Sequence, residues 1–170
     1  QAKTDAIVRA VYVAALEHRV DLAKLAHGET GIGKWEDKVL KNVIATQLVY
    51  DDIKNQRTVG VIGTDDRAGI VEVAQSIGPI LAFIPVTNPT STTIFKCLIA
   101  LKTRNPIIFS PPGGARKCTI AAAEVCYRAA LAAGAAADLR RDASGRAHSR
   151  RTDPAWRCRR HGRGDHVVRS

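Results

Sequence analysis

The feature that most restricts the fold is a change of apolar rhythm near residue 80. Thr58-Val-Gly-Val-Ile62 and Ile70-Val-Glu-Val73 alternate around Thr64-Asp-Asp-Arg-Ala-Gly69, the pattern of a hairpin. Ile80-Leu-Ala-Phe-Ile84 and Pro106-Ile-Ile-Phe109 are instead continuous apolar runs, suited to strands buried on both faces. Each run precedes a helical stretch. Asn88-Pro-Thr-Ser91 opens one that reaches about Thr103, and Ala115 to Ala133 form an alanine-rich one that Gly134 stops. Strand, helix, strand, helix with short connections predicts a βαβα unit with a parallel strand pair. In such sheets ligands sit beyond the carboxyl ends of the strands, here residues 85–91 and 110–114.

Two helices are expected upstream. Over residues 5–27, Val8, Val11, Ala15, Leu22 and Leu25 share a stripe, and Gly28 is placed as the stop. Glu29-Thr-Gly-Ile-Gly33 is a loop. From Lys34 to Asn55, Trp35, Val39, Val43, Thr46, Tyr50 and Ile53 recur at helical spacing. The predicted class is α/β: two helices, a β-hairpin, then an incomplete βαβα unit of Rossmann type within one domain over residues 1–139. A chain of 170 residues suits one domain with a core.

The net charge of +10 is unevenly placed. Residues 140–170 hold 10 Arg, no Lys and 3 Asp, and contain no Ile, Leu or Phe. Burial in such a segment cannot offset the entropy of ordering it, so disorder is expected there. Arginine without lysine, alongside Gly, Ala, Asp and His, is also what GC-rich coding DNA yields in a shifted frame. The tail is therefore expected to be a frameshift or read-through product. The first residue is Gln and the chain has no Met, which leads to the expectation that it is a piece of a longer protein.

Several classes are set aside. No run of about 18 apolar residues exists to cross a membrane. Four cysteines without a CxxC pair argue against a disulfide scaffold or zinc ribbon, and a reducing, cytoplasmic setting is expected. Gly31-Ile-Gly33 lacks a preceding strand and a later glycine, so it is no dinucleotide fingerprint.

The run Pro85-Val-Thr-Asn-Pro-Thr-Ser-Thr-Thr-Ile-Phe-Lys-Cys-Leu-Ile-Ala-Leu-Lys-Thr-Arg-Asn-Pro-Ile-Ile-Phe-Ser-Pro111 closely resembles the aldehyde dehydrogenase superfamily. The resemblance is to the amino-terminal part of the CoA-acylating acetaldehyde dehydrogenase module of bacterial bifunctional aldehyde-alcohol dehydrogenases. Glu29-Thr-Gly-Ile-Gly33 and Glu36-Asp-Lys-Val-Leu-Lys-Asn42 resemble the same module, so the likeness spans about residues 1–139. It implies an oxidoreductase that oxidises a small aldehyde to an acyl-CoA, with NAD or NADP as hydride acceptor and CoA as acyl acceptor. By the same likeness Asn88 is the catalytic oxyanion donor. Phe83, Ile84, Pro85, Val86, Thr87 and Asn88 line the cofactor, and Ser110 and Pro111 take its adenosine end. The family's Ser-Pro-His-Pro-Arg is here Ser110-Pro-Pro-Gly-Gly114, which removes a His and an Arg from that edge, and Ser76 stands where the family has Pro. The family's nucleophilic cysteine and glycine-rich turn lie beyond Leu139, where the likeness ends, so the chain alone is expected to be inactive. A homo-oligomer is expected, with no membrane or nucleic-acid partner.

Blander readings stand beside these. Asn88 before Pro89 is also a good helix cap, and residues 110–114 also make an ordinary turn. Cys97, Cys118 and Cys126 fit helix interiors as small hydrophobes. Cys158, His161 and His166 could be drawn as metal ligands, but three ligands in an arginine-rich tail are a weak signal, and no metal is expected. Two other functions compete: a non-catalytic fragment that docks onto full-length relatives, and a nucleic-acid binder using the basic tail. The second ranks last, because the tail has one aromatic and no periodic basic stripe.

Overall fold

A computed structural model describes residues 1–135 and the backbone of residues 166–168. Helices α1 (Ala2–Glu17) and α2 (Arg19–Thr30) come first, then α3 (Trp35–Val43), a π turn (Ile44–Leu48) and α4 (Val49–Ile53). Strands β1 (Gly60–Asp65) and β2 (Ile70–Ala74) form the hairpin. Then come β3 (Ile80–Phe83), α5 (Pro89–Lys102), β4 (Ile107–Ser110), a 3-10 turn (Gly113–Ala115) and α6 (Arg116–Ala132), with β5 at His166–Val168.

The βαβα unit is as the apolar rhythm predicts. β3 and β4 pair in parallel, with Ile80 opposite Ile107 and Phe83 opposite Ser110. The hairpin is antiparallel and forms a separate two-stranded sheet, with an irregularity between Val61 and Gly63. One expectation fails for the strands. Ala82 and Ile84 point into the core, but Leu81 is 56% and Phe83 69% exposed. Among the described residues the helices cover one face only: α1, α5 and α6 supply Val8, Val11, Ile94, Leu98, Ala122 and Cys126 to the core against Ile107 and Phe109. A continuous apolar run signals apolar side chains on both faces, not that both are covered.

The first predicted helix is two helices. At His18 the ring Nδ1 lies 2.9 Å from the Ala14 carbonyl, and Arg19 donates to the Leu16 carbonyl at 2.8 Å. Both carbonyls also accept backbone N–H groups at the end of α1, so the side chains add second donors to the closing turn. The stripe then changes course: Val8, Val11, Ala15 and Leu22 are buried, but Leu25 is exposed. The stop is also displaced. The helix runs through Gly28 to Thr30, and Gly31 takes the left-handed conformation at φ 64°.

The second predicted helix is continuous but changes pitch at the π turn, which adds a residue to the turn and rotates α4 relative to α3. Its buried positions are Lys38, Asn42, Ala45, Thr46 and Ile53, while Trp35, Val39 and Val43 are half-buried. Polar residues, rather than the apolar stripe, thus occupy the centre of its packed face.

α6 ends as expected. Ala135 N–H bonds to the Ala130 carbonyl at 2.9 Å and Gly134 N–H to Leu131 at 3.0 Å, with Gly134 at φ 85°. That pair of bonds makes a Schellman motif, which requires the left-handed residue. The expected disorder of residues 140–170 lies outside the described residues, apart from β5. No element is expected there from sequence, yet its backbone pairs antiparallel with β4, Ile108 facing Val167. Among the described residues, no helix is long and apolar enough to cross a membrane.

Candidate functional site

The parallel register places the ends of β3 and β4 side by side, so the loops that leave them meet. The Ser110 carbonyl accepts the Ile84 N–H at 3.1 Å, extending the ladder one step past Phe83. Lys96, from α5, donates to the Phe83 carbonyl at 2.8 Å and holds the strand end. Val86 packs against Ala26, Ala115 and Cys118, which joins the first loop to α2 and the start of α6.

Of the predicted cofactor residues, Phe83, Pro85 and Thr87 are exposed, and Val86, Asn88, Ser110 and Pro111 are half-buried. Ile84 is different. Its side chain belongs to the core, and only its backbone lies along the loop. The two predicted loops are therefore adjacent, and Asn88 stands at the mouth between them and α3.

Asn88 is at the N-cap position of α5, with Pro89 as the first helical residue, yet its side chain makes no capping hydrogen bond. Its Oδ1 instead accepts from Lys41 Nζ at 2.9 Å. The first turn of α5 is rich in buried hydroxyls. Thr90 donates to Asn42 Oδ1 at 2.9 Å, Thr93 to the Pro89 carbonyl at 2.8 Å, and Ser91 to the Asn88 carbonyl at 3.4 Å.

Reading the apolar stripe of α3 hides the residues that brace this loop. Lys38 is 5% exposed and donates to the Thr87 carbonyl at 3.1 Å. Burial pushes its ammonium below the ordinary lysine range, the charge of Lys41 pushes it the same way, and Cys118 acts weakly against both. Asn42 is 1% exposed and donates to the Arg19 carbonyl at 2.9 Å. The signal was present in Glu36-Asp-Lys-Val-Leu-Lys-Asn42: positions 38, 41 and 42 are three and four apart, hence on one helical face.

Glu29, at the end of α2, is a further residue that an apolar stripe does not reveal. Its carboxylate accepts the N–H of Lys117 at 2.8 Å and that of Cys118 at 2.7 Å, closing the amino end of α6. Burial raises this carboxyl, but the two backbone donors outweigh it and hold the group below its ordinary range. Cys118 responds oppositely: burial, then the hydrogen bond and charge of Glu29, push its thiol up to about 12. Cys97, Cys118 and Cys126 are all buried. Among the described residues no cluster of three His, Cys, Asp or Glu could hold a metal, and Cys158 and His161 lie outside them.

No family model matches the chain. The bifunctional aldehyde-alcohol dehydrogenase AdhE of Escherichia coli K12 is 49% identical over 139 residues, 82% of this chain and 16% of that protein. The aldehyde-alcohol dehydrogenase of Clostridium acetobutylicum is 50% identical over 135 residues, 79% of this chain and 16% of that protein. An acetylating aldehyde dehydrogenase of Geobacillus thermoglucosidasius of solved structure matches with a TM-score of 0.78 at 48% identity, over 79% of this chain and 30% of that one. The chain thus spans 16% of the length of these curated relatives.

Proposed function

We propose, on the premise that this chain belongs over most of its length to the acylating branch of the aldehyde dehydrogenase superfamily, that it carries the oxyanion-donor and cofactor-lining part of an enzyme that oxidises a small aldehyde to an acyl-CoA. The observation that carries this reading is Asn88: it stands just past the end of β3 with its oxygen committed to Lys41 rather than to the helix behind it.

In that reaction a cysteine thiolate adds to the aldehyde carbonyl and negative charge collects on its oxygen. A fixed amide donor facing that oxygen speeds the step by about 10²–10³. The Asn88 N–H2 group is the donor in this reading. Bound NAD, or NADP, supplies the hydride acceptor, and CoA supplies the thiol that takes the acyl group. The loops suit a dinucleotide: Phe83, Pro85 and Thr87 offer an exposed edge, and Ser110 and Pro111 a half-buried one, at the carboxyl end of a parallel pair. Ile84 contributes backbone only. The amino end of α6 is already filled by Glu29, so a phosphate does not share it.

The burial of the three described cysteines supports the reading that none of them is the attacking thiol. A cytoplasmic homo-oligomer belongs to the same proposal. A second reading, docking onto full-length relatives, draws on the exposed Leu81 and Phe83. Copurification with an intact relative, abolished by Phe83→Lys, tests it.

The leading reading is tested by titrating NAD into the ¹⁵N-labelled chain. Shift changes concentrated at residues 83–88 and 110–111 are expected. Changes that avoid both loops contradict the cofactor assignment.

A further inference from the structure

We propose that Lys41 is a positioning residue for Asn88, and that Lys38, Lys41 and Asn42 together form a clamp on the end of the loop and the first turn of α5. The inference rests on the reading of Asn88 as an oxyanion donor. Three side chains within two turns of α3 reach three positions in a four-residue segment. Lys38 holds the Thr87 carbonyl at 3.1 Å, Lys41 holds Asn88 Oδ1 at 2.9 Å, and Asn42 accepts the Thr90 hydroxyl at 2.9 Å. The outer two members are anchored by burial, and Asn42 is tied in addition to the Arg19 carbonyl. Lys41 projects between them.

An asparagine just before a helix-starting proline ordinarily turns its oxygen back to a first-turn N–H. Here the ammonium of Lys41 takes that oxygen, and the capping bond is not made. A carboxamide is planar with one acceptor and one donor end. Committing the oxygen to α3 leaves the N–H2 as the free arm, and a cation on the oxygen makes those N–H groups stronger donors. Lys41 therefore does two things: it diverts Asn88 from capping, and it presents the amide donor.

The test uses the full ¹⁵N-labelled chain, with the Asn88 carboxamide resonances identified by their loss in Asn88→Asp. Lys41→Met is expected to shift them and to let the oxygen return to the cap. Amide exchange at Ser91 then slows about fivefold, the equivalent of the ~1 kcal/mol that a side-chain cap contributes. Lys41→Arg restores the parent positions. Unchanged carboxamide resonances in both Lys41→Met and Lys41→Gln overturn the proposal. So does faster exchange throughout α5, the mark of a purely structural lysine. If the resonances respond as expected while Asn88→Ala leaves acylating activity intact in an active chimera, the reading of Asn88 fails and the positioning by Lys41 stands.

Discussion

Glu29 Oε2 accepts the backbone N–H of Cys118 at 2.7 Å across 89 positions of sequence. The same carboxylate takes the neighbouring N–H of Lys117. The N-cap of α6 is Ala115, which has no side-chain oxygen to offer, so a residue from the end of α2 completes its first turn. The bond joins two segments of the site, and it places a carboxylate where the helix dipole is positive.

Glu29→Ala is expected to lower stability by about 1–2 kcal/mol, the range for a lost cap with a charged acceptor, and Glu29→Gln by less. The dependence on pH comes from the lowered carboxyl. A carboxylate stabilised in the folded state contributes fully above its unfolded value, and the contribution disappears as pH falls through the lower folded value. The gap between parent and Glu29→Gln should thus be widest near neutrality and close as pH falls below the ordinary glutamate value and through the lower folded one. Urea melts at several pH values measure it, and a gap that widens in acid contradicts the assignment.

Cys118 should be inert in the folded chain. With its thiol at about 12, only about one part in 10⁴ is thiolate at pH 8. Labelling by a thiol reagent is expected to become complete only on unfolding. Glu29→Gln removes the adjacent charge and should speed native labelling, which mass spectrometry of the tryptic peptides would read.

Arg104 is the only non-glycine at positive φ among the described residues, at 56°. It closes α5: its N–H bonds to Leu101 and that of Asn105 to Ala100, while its guanidinium donates to the Ala74 carbonyl at 3.1 Å. Arg104→Gly and Arg104→Ala both lose the guanidinium, but only glycine relieves the left-handed strain. The glycine variant is expected to be about 1 kcal/mol the more stable of the two. Equal thermal midpoints would show that the conformation costs nothing here.

Much of this fold was legible in the sequence, because period and punctuation report local geometry directly. The parallel pair, its two helices, the hairpin and the Gly134 stop can all be read from spacing. The break at His18 cannot, since it depends on side chains finding carbonyls of their own helix. The exposure of Leu81 and Phe83 depends on which elements cover a face, and strand composition carries no such information. In the candidate site, Asn88 and the two loops belong to one contiguous motif. Lys38, Lys41 and Asn42 share a helical face that spacing does show, but their partners, and those of Glu29, are not legible, because they lie 49, 47, 48 and 88 positions away. Lys38 and Asn42 also look like surface residues until their acceptors are known.

In the proposed reaction Asn88 supplies an amide donor to the oxygen of the reacting aldehyde. The most direct measurement places residues 79–133 of this chain in the corresponding segment of the acetylating aldehyde dehydrogenase of Geobacillus thermoglucosidasius, and compares Asn88 with Asn88→Ala in that chimera. If Asn88 is that donor, the chimera is active and its kcat falls by about 10²–10³ on Asn88→Ala. A kcat within twofold of the unsubstituted chimera would contradict it.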